Sequence, residues 1–353
     1  MKPFHTIAEY TKENKRNFML EKPNIPDELI ISRLQEEYKL RVVELAFLPI
    51  GADSRTAVYR VTTDDGLEYF LKLRKNFNEL IVRIPLFLRE NGVGEIISPF
   101  ETKSKQYWAD FGDYKLILYP FIEGKDGFER ELTDQHRQRL GTAFKGIHTA
   151  QLLPELKKLV KRDTFSAEWR EDMKSYQAQV ESKGFDEPVA AKLADFMKFH
   201  RNEIIRLVER AEQLASELQS NPPELVLCHS DIHGGNILIS NTDELYIVDW
   251  DDPILAPKER DLMFIGGGID SIWKSKREED VFYEGYGKTE INLVALAYHR
   301  YERIIEDLVV ICEQLLSTDE GGADRERSFG WFTSNFEPSQ TIEIAERTDK
   351  LNI

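Results

Sequence analysis

The period of the hydrophobic positions changes several times along the chain. Leu29, Ile30, Leu34 and Tyr38 recur at helical spacing and predict a short helix over Leu29–Tyr38. Val42–Arg60 then alternates as strand, turn, strand. A second hairpin follows, with Val61–Thr63 and Leu67–Leu73 flanking the turn Asp64-Asp65-Gly66. Helical spacing returns over Asn78–Asn91, where Ile81, Ile84 and Leu88, with Leu80 and Phe87, form an apolar side; Pro85 predicts a kink or an early stop. Lys115–Leu118 is a further strand. Thr133–His148 is a helix capped by Thr133, with Leu140, Phe144 and Ile147 along one face. Pro154 to Leu218 is helix-rich and interrupted around Lys183–Pro188, with a long helix over Val189–Leu218 whose charged side is solvated. Three β-rich runs come next: Leu225–Cys228, Ile237–Ile239 and Leu245–Val248, the last two joined by the turn formers Asn241, Thr242 and Asp243. Gly266–Gly268 is a loop, and Asn292–Leu315 is an amphipathic helix with Leu296, Ile304, Ile305, Leu308 and Cys312 as its core side. Residues 1–28 are polar, contain Pro23 and Pro26, and read as an extension without an assigned function.

Size and charge narrow the function classes. A chain of 353 residues, 41% hydrophobic and 31% charged, has room for two lobes with a sizeable core. The formal net charge of -16 disfavours nucleic acid and anionic membrane surfaces as partners. It favours a small cationic substrate, or it confers solubility alone. Cys228 and Cys312 are the only cysteines, too few for a disulfide framework or a Cys-based zinc site. The N-terminus carries no apolar signal core, and no run approaches the ~20 apolar residues of a membrane helix. A cytoplasmic protein is expected.

The chemistry concentrates in Leu225–Asp249. The polar loop after the first of its strands reads H-S-D-I-H-G-G-N, and the hairpin ends in I-V-D. Strand ends would bring Asp231, Asn236 and Asp249 to one edge of a small sheet. One Asp can accept the proton of an attacking hydroxyl, while an Asn and a second Asp hold Mg²⁺ on a nucleoside triphosphate. These residues resemble the catalytic signature of the aminoglycoside phosphotransferases, whose protein-kinase counterpart is H-R-D-x-x-x-x-N with D-F-G. Trp250 stands in the place of the Phe, and the Gly is absent. The continuation D-W-D-D-P-I-L-A-P-K-E-R-D-L-M-F-I-G-G-G resembles the members that phosphorylate spectinomycin. The resemblance runs from about Leu29 to the C-terminus.

It implies an α+β, two-lobed, protein-kinase-like fold: a small β-rich N-terminal lobe over 29–118 and a larger, mostly helical C-terminal lobe over 119–353. It implies ATP and Mg²⁺ as cofactors, Asp231 as proton acceptor, and Asn236 and Asp249 as metal ligands. Lys72, in Y-F-L-K-L, would neutralise the α- and β-phosphates and pair with Glu79; by itself it also reads as an edge-strand lysine facing solvent. The loop around Ser54 would cover the phosphates, although by itself it reads as an ordinary hairpin. Tyr119 or the main chain of Phe121–Ile122, in Y-P-F-I-E-G, would meet the adenine. His148 resembles a common family position with a structural role, and Asp261 one that braces the catalytic loop. Glu302, Glu306 and Asp307 read either as surface charge or as the lining of a pocket for an ammonium-bearing antibiotic. Arg303 and Asp307 are spaced for an i,i+4 pair. Asp251 and Asp252 read as metal or substrate contacts or as a solvent-facing turn. Three competitors stay open: a housekeeping kinase of the same fold acting on an amino alcohol, sugar or amino acid; a silent nucleotide-binding module; and a metallohydrolase using His229 and His233 in H-x-D-x-H. The acceptor, ATP against GTP, and the oligomeric state are not legible.

Overall fold

The computed structural model describes residues 22–49, 56–268, 272–318 and 322–352. Its strands are β1 (Val42–Leu48), β2 (Thr56–Thr63), β3 (Glu68–Arg74), β4 (Ala109–Phe111), β5 (Tyr114–Pro120), β6 (Gly124–Asp126), β7 (Lys161–Arg162), β8 (Val226–Cys228), β9 (Ile237–Ser240), β10 (Leu245–Ile247) and β11 (Ile254–Ala256). Its helices are α1 (Asp27–Tyr38), α2 (Leu80–Glu90), α3 (Asp134–Thr149), α4 (Pro154–Leu159), α5 (Glu168–Ser182), α6 (Pro188–Phe199), α7 (Arg201–Ser220), α8 (Glu259–Leu262), α9 (Lys276–Tyr286), α10 (Leu293–Leu316), α11 (Ala323–Ser334) and α12 (Thr341–Asp349). The expected α+β class holds, with a β-sheet N-terminal region and a helical remainder. The chain forms two compact units, one of Met1–Val160, Asp231–Pro253 and Val281–Gly287, the other of Lys161–Ser230, Ile254–Asp280 and Lys288–Ile353.

The first unit is built on a five-stranded antiparallel sheet of order β1-β2-β3-β5-β4. The β2–β3 hairpin closes at Asp64-Asp65-Gly66, where Gly66 takes φ +81, a conformation that costs glycine little. Alternation sorts the two faces of this sheet. Ala57, Tyr59, Val61, Leu71, Leu73, Leu116 and Leu118 pack with Ile30 and Leu34 of α1. Lys72, opposite Val58 on β2 and Ile117 on β5, belongs to the other face, where Ile117 packs with Ile81 and Val82 of α2. The α2 helix passes through Pro85 and runs on to Glu90, so the proline does not end it early. Thr133 caps α3 as expected: its Oγ1 accepts the His136 N–H at 3.2 Å, and His136 Nδ1 accepts the Thr133 N–H in return. A second small sheet, β10-β9-β6, carries the hairpin β9–β10.

The second unit is helical around a short three-stranded sheet, β7-β11-β8. The β8 strand therefore pairs with β11, not with the β9–β10 hairpin as the expectation of one small sheet required. Buried residues of α10, among them Tyr298, Ile304, Ile305, Leu308 and Cys312, form one core with residues of α5, α6, α7, α11 and α12. The long helix expected over Val189–Leu218 is two helices, broken at His200. The His200 ring stacks on Phe196 at 4.2 Å and meets Glu203 at 2.9 Å, which gives that break its own packing. No described helix is long and apolar enough to cross a membrane.

Candidate active site

The residues Asp231, Asn236, Asp249 and Lys72 all lie in the first unit. Asp231 opens the loop into a single 3₁₀ turn, Gly234–Asn236. The Asn236 Nδ2 donates to the Asp231 carbonyl at 2.8 Å, so the amide is oriented with Oδ1 as its remaining acceptor. The Val248 N–H donates to the Asn236 carbonyl at 3.0 Å and sets Asn236 beside the residue that precedes Asp249. His233 Nδ1 accepts the Gly235 N–H at 3.0 Å, and its Nε2 stands 3.5 Å from Asp231 Oδ2. Phe128 stacks on that imidazole, with ring centroids 5.8 Å apart. A Cβ at Gly235 would sit 2.8 Å from the His233 ring, so only glycine permits this approach. With Nδ1 of His233 held by its own loop, the H-x-D-x-H spacing does not act here as a free metal pair.

The two residues before Asp231 are fixed within the second unit. Buried Asp261 accepts the His229 N–H at 3.0 Å and the Ser230 N–H at 2.7 Å. This is the bracing expected of Asp261. His148 is structural too: its Nδ1 lies 2.8 Å from the Tyr286 hydroxyl.

Lys72 leaves β3 from the face opposite the α1 core, and its Nζ donates to Asp249 Oδ1 at 3.2 Å and to Asp251 Oδ1 at 2.8 Å. Arg74, two residues on and thus on the same face, binds the other Asp251 oxygen through Nη1. Asp249 has φ +65, in the left-handed region that aspartate tolerates better than most residues. Burial opposes the Lys72 charge, but the Asp249 and Asp251 carboxylates outweigh it and hold its pKa above the usual lysine range. Burial raises the Asp251 carboxyl, opposed by Lys72. Burial pushes the Tyr119 hydroxyl up to about 12, with Lys72 pulling it down and Asp251 and Asp249 adding to the rise.

Several expected partners differ. Glu79 does not pair with Lys72. It precedes the first turn of α2, where Asn78 Oδ1 caps the Leu80 N–H at 3.1 Å, and Glu79 Oε1 lies 3.2 Å from Arg83, one turn along. The Phe121 N–H is engaged with the Glu68 carbonyl at 3.4 Å, and the Arg60 guanidinium covers its ring at 4.6 Å, while Ile122 is half-buried beyond it. Ser54 lies outside the described residues. On α10, Glu302 is neither surface charge nor pocket lining: it is 4% exposed and bound to buried Arg170. Glu306 lies 3.8 Å from Arg260, and the expected Arg303–Asp307 pair forms at 3.0 Å. Sequence reasoning missed Arg74 altogether and left Asp251 open. The two-residue spacing of Lys72 and Arg74 on β3 means a shared face, whereas Asp251 lies between β10 and β11, where no strand register places it.

The donor set suits a hard divalent cation: a half-exposed Asp249 carboxylate and an oriented Asn236 amide oxygen, both oxygen ligands.

Comparison with known proteins gives the family and the fold. A family model described as Phosphotransferase enzyme family matches residues 46–290. A crystal structure of spectinomycin phosphotransferase, APH(9)-Ia, in complex with ADP and spectinomycin is 35% identical, with a TM-score of 0.86, and covers 93% of this chain and 100% of its own. The AMP-bound complex of the same enzyme is 34% identical, with a TM-score of 0.81, over 91% of this chain and 98% of its own. A microcompartment-associated aminopropanol kinase is 14% identical, with a TM-score of 0.60 over 93% of this chain and 98% of its own, and shares the fold. No curated protein matches the chain.

Proposed function

We propose, from the premise that this chain belongs to the phosphotransferase enzyme family, that it transfers the γ-phosphoryl group of ATP to a hydroxyl of spectinomycin or a closely allied aminocyclitol. Such a modification would confer resistance to the antibiotic. The observation that carries the reading is that Lys72 and Asp249, 177 residues apart in sequence, meet at 3.2 Å. Asn236 links Asp231 to this stretch of chain: its amide donates to the Asp231 carbonyl at 2.8 Å, and its own carbonyl accepts the N–H of Val248, the residue before Asp249, at 3.0 Å. The likeness to a spectinomycin phosphotransferase supports this acceptor class.

In this reading Asp231, whose carboxylate is 42% exposed, orients the acceptor hydroxyl and takes its proton. Asn236 and Asp249 hold Mg²⁺, which when bound offsets the charge on the phosphate oxygens. Lys72 balances the α- and β-phosphates. The adenine meets main chain between Tyr119 and Ile122. Most of the rate comes from positioning and from preorganised charge. On α10, Glu306 and Asp307 have side chains 25% and 39% exposed, whereas Glu302 is committed to Arg170.

A panel of acceptors with γ-labelled ATP tests this reading. Label should move to spectinomycin. Transfer only to simple amino alcohols or sugars would overturn the acceptor assignment, and transfer to none of them would overturn the phosphotransferase reading.

A further inference from the structure

A lysine that binds triphosphate can be aimed by a paired carboxylate, and a carboxylate that also serves the metal is shared between the two tasks. Two carboxylates meet Lys72, and they are not equivalent. Asp249 is 50% exposed and is the proposed metal ligand, so Lys72, on its Oδ1, and the cation draw on the same carboxylate. Asp251 is 21% exposed and has a second anchor, because Arg74 takes its Oδ2 while Lys72 takes its Oδ1. Arg74 and Lys72 are next-but-one neighbours on β3, so one carboxylate spans both cations from a single face of the sheet. Arg74 is fixed in turn across the hairpin, with Nη1 3.4 Å from Thr56 Oγ1. Glu79 adds nothing to this arrangement, since its contact is with Arg83.

We propose that Asp251, locked by Arg74, is the positioning residue of Lys72. As the nucleotide enters, Lys72 keeps Asp251, releases Asp249 to the metal and turns its remaining donors to phosphate. Lys72 has three donors and the exchange moves one of them, so no buried charge is left unpaired. The proposal rests on the phosphotransferase reading of the same site. It assigns to a strand residue and a loop residue the task that the family resemblance gave to the helix glutamate.

The test compares wild type with Asp251→Asn, Arg74→Gln and Glu79→Gln by melting temperature, ADP affinity, KM for ATP, kcat, and the Mg²⁺ concentration for half-maximal rate. Loss of one charge-assisted contact to Lys72 should raise KM for ATP by about tenfold in Asp251→Asn. Arg74→Gln should give a smaller rise of the same kind. Combining the two should add little to Asp251→Asn alone, because both act through one carboxylate. The Mg²⁺ requirement should stay at the wild-type value, which separates aiming a lysine from ligating a metal, and Glu79→Gln should match wild type. If Asp251→Asn does not fold, Arg74→Gln carries the same readouts. A wild-type KM for ATP in folded Asp251→Asn would overturn the proposal. So would a raised Mg²⁺ requirement in that variant, or a loss found in Glu79→Gln instead. Wild-type protein that binds no ADP would end the phosphotransferase reading itself, a different failure from any of these.

Discussion

Each unit holds a group of paired charges, four residues in the first and a single pair in the second, and the two differ in exposure. In the first unit Lys72 and Arg74 face Asp249 and Asp251. In the second, Arg170 faces Glu302. The helical pair is sealed, with side chains 2% and 6% exposed, and Arg170 also meets the Tyr298 hydroxyl at 3.3 Å and the Phe165 carbonyl at 3.2 Å. Every contact there is internal to the core. The strand cluster is graded: Lys72 is 14% exposed, Asp249 is 50% exposed, and Asp249 stands on a left-handed backbone at a hairpin end. An ion pair shut off from water contributes architecture. One with an open side and more than one carboxylate for its lysine can exchange a partner for a ligand. Residue type does not separate the two cases; exposure and backbone do.

The largest expected effect lies beside the open cluster. Asp231→Asn should lower kcat by about 10²–10⁴-fold while ADP affinity stays at the wild-type value, measured by steady-state kinetics and calorimetry. Breaking the sealed pair should do the reverse. Arg170→Met leaves Glu302 buried without its partner and should cost about 3–5 kcal/mol of unfolding free energy by denaturant titration, with turnover per folded molecule unchanged. A loss of turnover with intact stability in that variant would erase the contrast.

The sealed pair also predicts a pH dependence. Burial raises the Glu302 carboxyl to about 7, against the pull of Arg170. Its folded pKa thus lies above the unfolded value of 4.5, and between these limits the native state holds a proton that the unfolded chain releases. Its contribution to stability is therefore full below pH 4.5, falls as pH rises toward 7 and is flat beyond. Glu302→Gln should flatten the stability-against-pH curve in that window, and an unchanged slope would remove Glu302 as its source. The smallest effect belongs to neither cluster: Thr133→Ala should cost about 1 kcal/mol through the α3 cap, with no kinetic change.

Most of the strand-bound part of the site could be read from the sequence. Period-two alternation puts Lys72 on the face away from Tyr59 and Leu71, and the Asp-Gly turn sets the register of its hairpin. The loop from Asp231 to Asn236 is local, so its residue types and spacing carry its geometry. Long-range charge pairing was not legible. Nothing in the spacing of Glu79 says that its side chain turns back along its own helix to Arg83, or that Asp251 meets β3. Glu302 fails for a related reason. Helical spacing puts Glu302 and Glu306 on one side of α10 but does not say that the Glu302 end of it is sealed by Arg170 from α5. Gly124-Lys125-Asp126 has no β-forming residue, yet it forms β6 because its backbone completes the edge of the β9–β10 hairpin, with Gly124 opposite Ser240. The break at His200 likewise comes from ring packing on Phe196, which periodicity cannot register.

The open cluster and Asp231 together should move a phosphoryl group from ATP to an aminocyclitol hydroxyl. The most direct measurement is mass analysis of spectinomycin after incubation with ATP, Mg²⁺ and either wild-type protein or Asp231→Asn. One added phosphoryl group is expected with wild type, and unmodified spectinomycin with the variant over the same time. Unmodified spectinomycin in both, at nucleotide saturation, or equal phosphorylation in both, would contradict it.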